Sequence, residues 1–133
     1  MIWIEPKTTW NGESFDVEVD YERIRNNIMY VNMLFNKYYG DCELIDMPVY
    51  TYSDVPTEIF FNTQPLNLER IVQNSYRPIN FQTMRSYVAS GTPYNYEDLN
   101  IIESNTLLLY NILNSYESNK RRLPFKLGMK GDI

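Results

Sequence analysis

The chain has 133 residues, 44% hydrophobic and 22% charged, the balance of a folded chain and not of a disordered one. A net charge of −5 works against a nucleic-acid partner, and the absence of histidine removes the usual general base, the usual zinc ligand and every Ser-His or Cys-His arrangement. Cys42 is the single cysteine, which excludes an intramolecular disulfide, and no stretch approaches the roughly 20 apolar residues of a membrane helix.

Residues 1–15 read as irregular and extended. Ile2, Trp3 and Ile4 suit a short strand that Pro6 stops or keeps at an edge. Met1–Pro6 lacks the basic start and apolar core of a signal peptide, so the expectation is a protein made and folded in a cytoplasm. Asn11-Gly12 marks a turn, and Trp10 is expected to pack back on the first helix.

From about 17 to 39 the pattern is helical. Tyr21, Ile24, Ile28, Val31, Phe35 and Tyr38 recur at spacings of three and four, an a/d stripe, and Gly40 ends it. Residues 42–62 change character: Val49–Tyr52 and Ile59–Phe61 are β-branched and aromatic, which predicts a small hairpin or two extended segments. Pro65 suits the first turn of a second helix running to about Tyr76, and Pro78 stops it. Asn80 and Gly91 bracket a short helix over 81–90, and Thr92-Pro93 makes a turn.

Asn95, with Asp98 three residues on, forms an approximate capping box for a long helix over about 95–118. Leu99, Ile102, Thr106, Leu109, Leu113 and Tyr116 repeat the first stripe position for position, and Leu107, Leu108 and Ile112 widen it. Beyond it, Pro124 and Gly128 argue against helix. The alternation of Leu123, Phe125 and Leu127 suits an extended arm over 119–133 with one apolar face, laid on another chain or along its own domain. The arm also carries Lys120, Arg121, Arg122, Lys126 and Lys130, leaving the rest of the chain more acidic than the total suggests. The predicted fold is mainly α. It is a helical bundle with two long heptad-striped helices, shorter helices between, a small β-like segment and extended terminal arms. A single helical domain over 1–118 precedes the arm.

One octet recurs three times: Asp20–Asn27, Asn67–Asn74 and Asp98–Asn105. Each has Asp or Asn, an apolar or aromatic residue, two variable positions, Ile, two variable positions and Asn. Apolar residues three apart share a helix face, so each copy reads as the start of an amphipathic helix. The leading Asp meets the N–H groups and positive dipole end of a first turn. The closing Asn sits on the helix flank, placed to bond a neighbouring backbone or the equivalent Asn of another helix. Repetition points to a scaffold of similar units; the plainer alternative is three unrelated helix starts.

Trp-Asn-Gly-Glu-Ser-Phe followed by Asp-Tyr-Glu-Arg-Ile-Arg-Asn-Asn-Ile, and Tyr-Asn-Tyr-Glu-Asp-Leu-Asn-Ile-Ile-Glu-Ser-Asn, resemble a segment recurrent in tail, baseplate and fibre-associated structural proteins of bacteriophages of Gram-positive bacteria. Such segments read Trp, a short polar gap, then Asp-Leu-Asn-Arg-Ile-Glu-x-Asn and a helix. The first copy keeps Trp10, Asp20, Arg23, Ile24 and Asn27, and the last keeps Asp98, Leu99, Asn100, Ile102, Glu103 and Asn105. Ile101 stands where the Arg is expected, so a salt bridge from that position does not carry over to the last copy. Leu-Pro-Phe-Lys-Leu-Gly is similar to the close of such proteins. The resemblance covers roughly residues 9–36 and 93–128.

The resemblance implies a non-enzymatic virion component, assembled in the host cytoplasm and present as a homo-oligomer or in multiple copies. Its partners would be other virion structural proteins, with no nucleic acid, membrane, metal or cofactor. The packing or interface residues expected are Ile24, Ile28, Val31, Ile102, Leu109 and Leu113, with Leu123, Phe125 and Leu127 as the docking arm. Asp20, Asn27, Asn67, Asn74, Asp98 and Asn105 are the motif residues. Two other classes stand beside it. Aromatics make up 15% of the chain, and exposed Tyr with Trp3 would suit a glycan- or protein-binding module. Asp20, Glu22, Asp98 and Glu103 are the acids available to a carboxylate-pair cell-wall hydrolase.

Overall fold

The computed structural model describes residues 1–53, 58–88, 91 and 95–130, and the side chains of all these except 58–60 and 119–130. The protein is mainly helical. Helix α1 spans Asp20–Tyr39, α2 spans Glu58–Asn74 and α3 spans Tyr96–Lys130, and each helix touches the other two. No strand occurs among the described residues. Arg23 of α1 meets Glu103 near the start of α3, and Lys37 meets Glu117 much further along both helices, so α1 and α3 run parallel.

The start of α1 is built by carboxylates. Asp16 Oδ1 accepts the N–H groups of Glu18 and Val19, while Asp20 accepts the N–H of Asp16 at 2.7 Å. Gly40, at φ 88°, then turns the chain where a side chain would be strained. At the start of α3, Asn95 accepts the N–H groups of Glu97 and Asp98, and Asp98 accepts the Asn95 N–H at 2.9 Å, a reciprocal capping box.

Ile24, Ile28 and Val31 of α1, Leu68 and Ile71 of α2, and Ile102, Leu109 and Leu113 of α3 are buried and meet in one core with Trp10, Phe35 and Met47. Burying each such side chain contributes about 1.5–3 kcal/mol. Trp3, from the N-terminal segment, stacks on Tyr110 of α3 at 3.9 Å between ring centroids, with Tyr30 of α1 beside both.

Four expectations are corrected. First, α2 begins at Glu58, not at Pro65; Ile59–Phe61 are helical, and Pro65 lies inside the helix. A proline there removes a helix bond at a cost of about 3 kcal/mol. On either side of it, Asn62 and Asn67 fasten α2 to the backbone of Tyr87 and Ile45. Second, Val49–Tyr52 belongs to a segment from Cys42 to Tyr52 that runs without helix or strand; helix side chains take the backbone groups of Cys42 and Ile45, and Glu18, in the turn before α1, takes the Tyr52 N–H.

Third, the short helix expected over 81–90 is absent from 81–88. The N–H and carbonyl of Gln82 and the N–H of Tyr87 bond side chains of α3 and α2, which removes them from helix bonding. Fourth, residues 119–130 continue α3 and do not form an extended arm. A helix already nucleated adds one bond per residue fixed, a gain a free extended segment lacks. Leu123, Phe125 and Leu127 therefore lie within the helical span and not in an extended arm. The turn at Thr92-Pro93, the end of the expected 81–90 helix at Ala89-Ser90, and residues 131–133 lie outside the described residues.

Candidate functional site

The polar residues of the recurring octet form the internal fastening of the fold. Asn27 of α1 accepts the N–H of Ile4 at 3.0 Å and donates to its carbonyl at 2.7 Å. Asn67 of α2 does the same for Ile45, at 2.7 and 2.9 Å, and Asn105 of α3 for Gln82, at 2.8 and 2.9 Å. The held residue precedes its asparagine by 23, 22 and 23 residues. An asparagine amide carries an acceptor and two donors on one plane, so it stands in for a strand neighbour. The structure thus repeats a unit of roughly 40 residues, an extended segment followed by a helix that clamps it.

A second clamp lies five residues earlier on two of the helices. Asn100 accepts the Trp10 N–H at 2.6 Å and donates to its carbonyl at 2.9 Å. Asn62 accepts the Tyr87 N–H at 2.6 Å and bonds its carbonyl at 3.0 Å. On α1 the position five before Asn27 is Glu22, which cannot donate; there Arg25, held by Glu22 at 3.0 Å, donates to the Met47 carbonyl.

The connections close into a cycle. The segment before α1 spans from α1 to α3, the segment before α2 bridges α2 and α1, and the segment before α3 bridges α3 and α2. Each seam between two helices carries one extended segment.

This register departs from the repeat expected in the middle copy. Asn67, its first residue, stands with Asn27 and Asn105, the last residues of the other copies. Asn74, two turns further on, donates one bond to the Gly40 carbonyl from an exposed position. Asp20 and Asp98 do sit in first turns. Asp20 pairs with Arg23 at 2.7 Å, and Asp98 takes both ends of the Arg85 guanidinium at 2.8 and 2.6 Å.

Among the described residues, the most buried charged side chain is Glu103. Its Oε1 accepts the Lys7 N–H at 3.0 Å and Arg23 Nε at 2.8 Å; its Oε2 accepts Trp10 Nε1 at 2.6 Å and an Arg23 terminal nitrogen at 2.8 Å. These four donors match the roughly four lone-pair positions of a carboxylate. Burial works against the Arg23 cation, and Glu103 and Asp20 more than offset it, so its affinity for the proton is raised. Lys7 Nζ lies 4.0 Å over the Trp10 ring. Trp10 is thus fixed chiefly to α3, not to the first helix alone. The Arg missing at Ile101 is supplied across the fold: the first copy's Arg23 pairs with the last copy's Glu103.

Arg23, Asn100 and Glu103 stand at the fourth, third and sixth positions of the resemblance, so the signal for them was the motif itself, read between copies and not within one. Asn62 had a weaker signal, an Asn five residues before Asn67 as Asn100 is before Asn105. Among the described residues, no three His, Cys, Asp or Glu side chains gather as metal ligands, and no helix is long and apolar enough to cross a membrane. Compared with protein-family models, with curated proteins and with solved structures, the chain matches none.

Proposed function

We propose that the chain is a non-enzymatic structural or adaptor subunit of a phage tail assembly, at baseplate, neck or fibre attachment, present in multiple copies among other virion structural proteins. In this reading the heptad-striped faces of α1 and α3 are the rigid pair on which the extended segments are mounted. The carrying observation is that Trp10, Arg23, Asn27, Asn100, Glu103 and Asn105, residues of the phage resemblance, are all fastened to other parts of the same chain.

The hydrolase reading asks for two acids open to a cleft. Asp20, Glu22, Asp98 and Glu103 are each ion-paired with an arginine, and the Glu103 oxygens are filled. A binding module would use exposed tyrosines such as Tyr76 and Tyr116, since Trp10 is buried and Trp3 is stacked on Tyr110.

Immunogold labelling of negatively stained virions of the encoding phage tests the proposal. Label at the tail end, on intact or mildly disrupted particles, is the expected result. A chain abundant in infected cells and missing from purified virions by mass spectrometry would refute it.

A further inference from the structure

The extended segment before α2 gives its backbone to α1 and α2 in turn. The Cys42 N–H and carbonyl bond Asn36 and Asn32 of α1, at 2.9 and 3.1 Å. The Glu43 carbonyl accepts Arg70 of α2 at 2.9 Å, and both polar groups of Ile45 go to Asn67 of α2. Successive residues of an extended chain turn their N–H and C=O groups to opposite sides. Leu44 and Asp46 therefore turn theirs towards α1, as Cys42 does, yet neither residue has a backbone hydrogen-bond partner among the described residues. The alternation ends at Met47, whose carbonyl takes Arg25 of α1.

Leu44 and Asp46 border an open groove of about 440 Å³ that Met29 and Met33 of α1 also line. The other helices show what the fold itself requires at these positions. With Asn27, Asn67 and Asn105 level, Met29 matches Glu69 of α2 and Leu107 of α3, and Met33 matches Gln73 and Asn111. Met33, Gln73 and Asn111 are all exposed, so the fold accepts an amide where α1 carries methionine. Methionine is flexible and polarizable, and suits a surface that repacks around a partner. Arg25 and Asp46 are the charged side chains of the lining, one of each sign, so the groove selects neither.

We propose that this groove receives an extended, uncharged apolar segment of a partner protein. The segment pairs as a strand with the open edge at Leu44 and Asp46 and lays alternate side chains on Met29 and Met33. Strand pairing supplies main-chain partners to both N–H and both carbonyl groups. A helix would leave that edge unmet, because its own N–H and C=O groups bond one another. The inference goes beyond the phage-tail reading and does not depend on it.

The test is NMR of the full isotope-labelled chain with two capped pentapeptides, one alternating threonine with valine and the other threonine with leucine. At least one is expected to shift the Leu44 and Asp46 amides and the Met29 and Met33 methyl groups, and to slow hydrogen exchange at those amides. The same peptides N-methylated at every residue keep their side chains and lose every main-chain donor. They should bind about tenfold or more weaker. Met33→Gln installs the residue that α2 carries and should weaken binding by about threefold or more, with circular dichroism unchanged. Asp46→Pro removes an N–H that bonds nothing within the described chain, and should weaken binding as well.

No shift with either peptide at millimolar concentration overturns the proposal, as does binding that N-methylation leaves intact. Two further results overturn it by naming another occupant. Methionine shifts with an amphipathic helical peptide, at unchanged Leu44 and Asp46 exchange, would name a helix. Concentration-dependent shifts at those amides without peptide would name a second copy of this chain.

Discussion

Arg23 and Glu103 face each other as a bidentate pair, Nε to Oε1 and a terminal nitrogen to Oε2, both at 2.8 Å, across 80 residues of sequence. Glu103 is 2% exposed, and the pair ties the start of α1 to the second turn of α3 with Trp10 between them. Breaking a buried pair from one side leaves a charge without its partner, which costs more than removing both.

Glu103→Ala should therefore destabilise the fold by about 3–5 kcal/mol. Arg23→Met with Glu103→Leu should cost clearly less than the two single changes added together. Urea unfolding of the unaltered chain, Glu103→Ala, the two single changes and the double reads this directly. Additive single and double effects would mean that the pair contributes no coupling.

The asparagine register makes a sharper comparison, because Asn67 and Asn74 belong to the same octet. Asn67 is fully buried and satisfies both polar groups of Ile45, whereas Asn74 makes one bond from the surface. Asn67→Leu should cost about 1–3 kcal/mol, since a donor and an acceptor lose their partner. It should also speed hydrogen exchange at the Ile45 amide. Asn74→Leu should stay within about 0.5 kcal/mol. Equal losses at the two positions would refute the register.

A pH effect follows from the start of α1. The N–H of Val19 is the largest influence and lowers the Asp16 carboxyl; with the Tyr52 hydroxyl and the Glu18 N–H it outweighs the desolvation that raises it, and holds the group below its usual 3.8. A depressed folded-state value means that the contribution is present above about pH 4 and is lost as pH falls through the folded-state value. Asp16→Asn keeps an oxygen acceptor and removes the titration. Its urea midpoint should fall less steeply than the unaltered protein's between pH 4 and 2; parallel curves would remove Asp16 from the acid response.

Much of the helical framework was legible because it is local. Ile24, Ile28 and Val31 are spaced for one helix face, and they are buried. The cap at Asn95 and the stop at Gly40 follow from a side-chain oxygen within three residues and from a positive φ that only glycine takes without strain. The segment 81–88 was illegible for the opposite reason. Its Asn80 and Gly91 are ordinary helix brackets, but Asn105 and Asn62 lie outside any local window.

Amino-acid order by itself pointed to amphipathic helices over about 17–39 and 95–118, and showed that one polar octet recurs. Tertiary structure alone decided what the octet does. It set Asn67 level with Asn27 and Asn105, gave the first copy's Arg23 to the last copy's Glu103, and laid an extended segment in each seam between helices. Helix periodicity is a property of residues three and four apart, where backbone geometry fixes the neighbour. A hydrogen bond between Trp10 and Glu103 spans 93 residues, and only the packing of the whole chain brings its donor and acceptor within 2.6 Å.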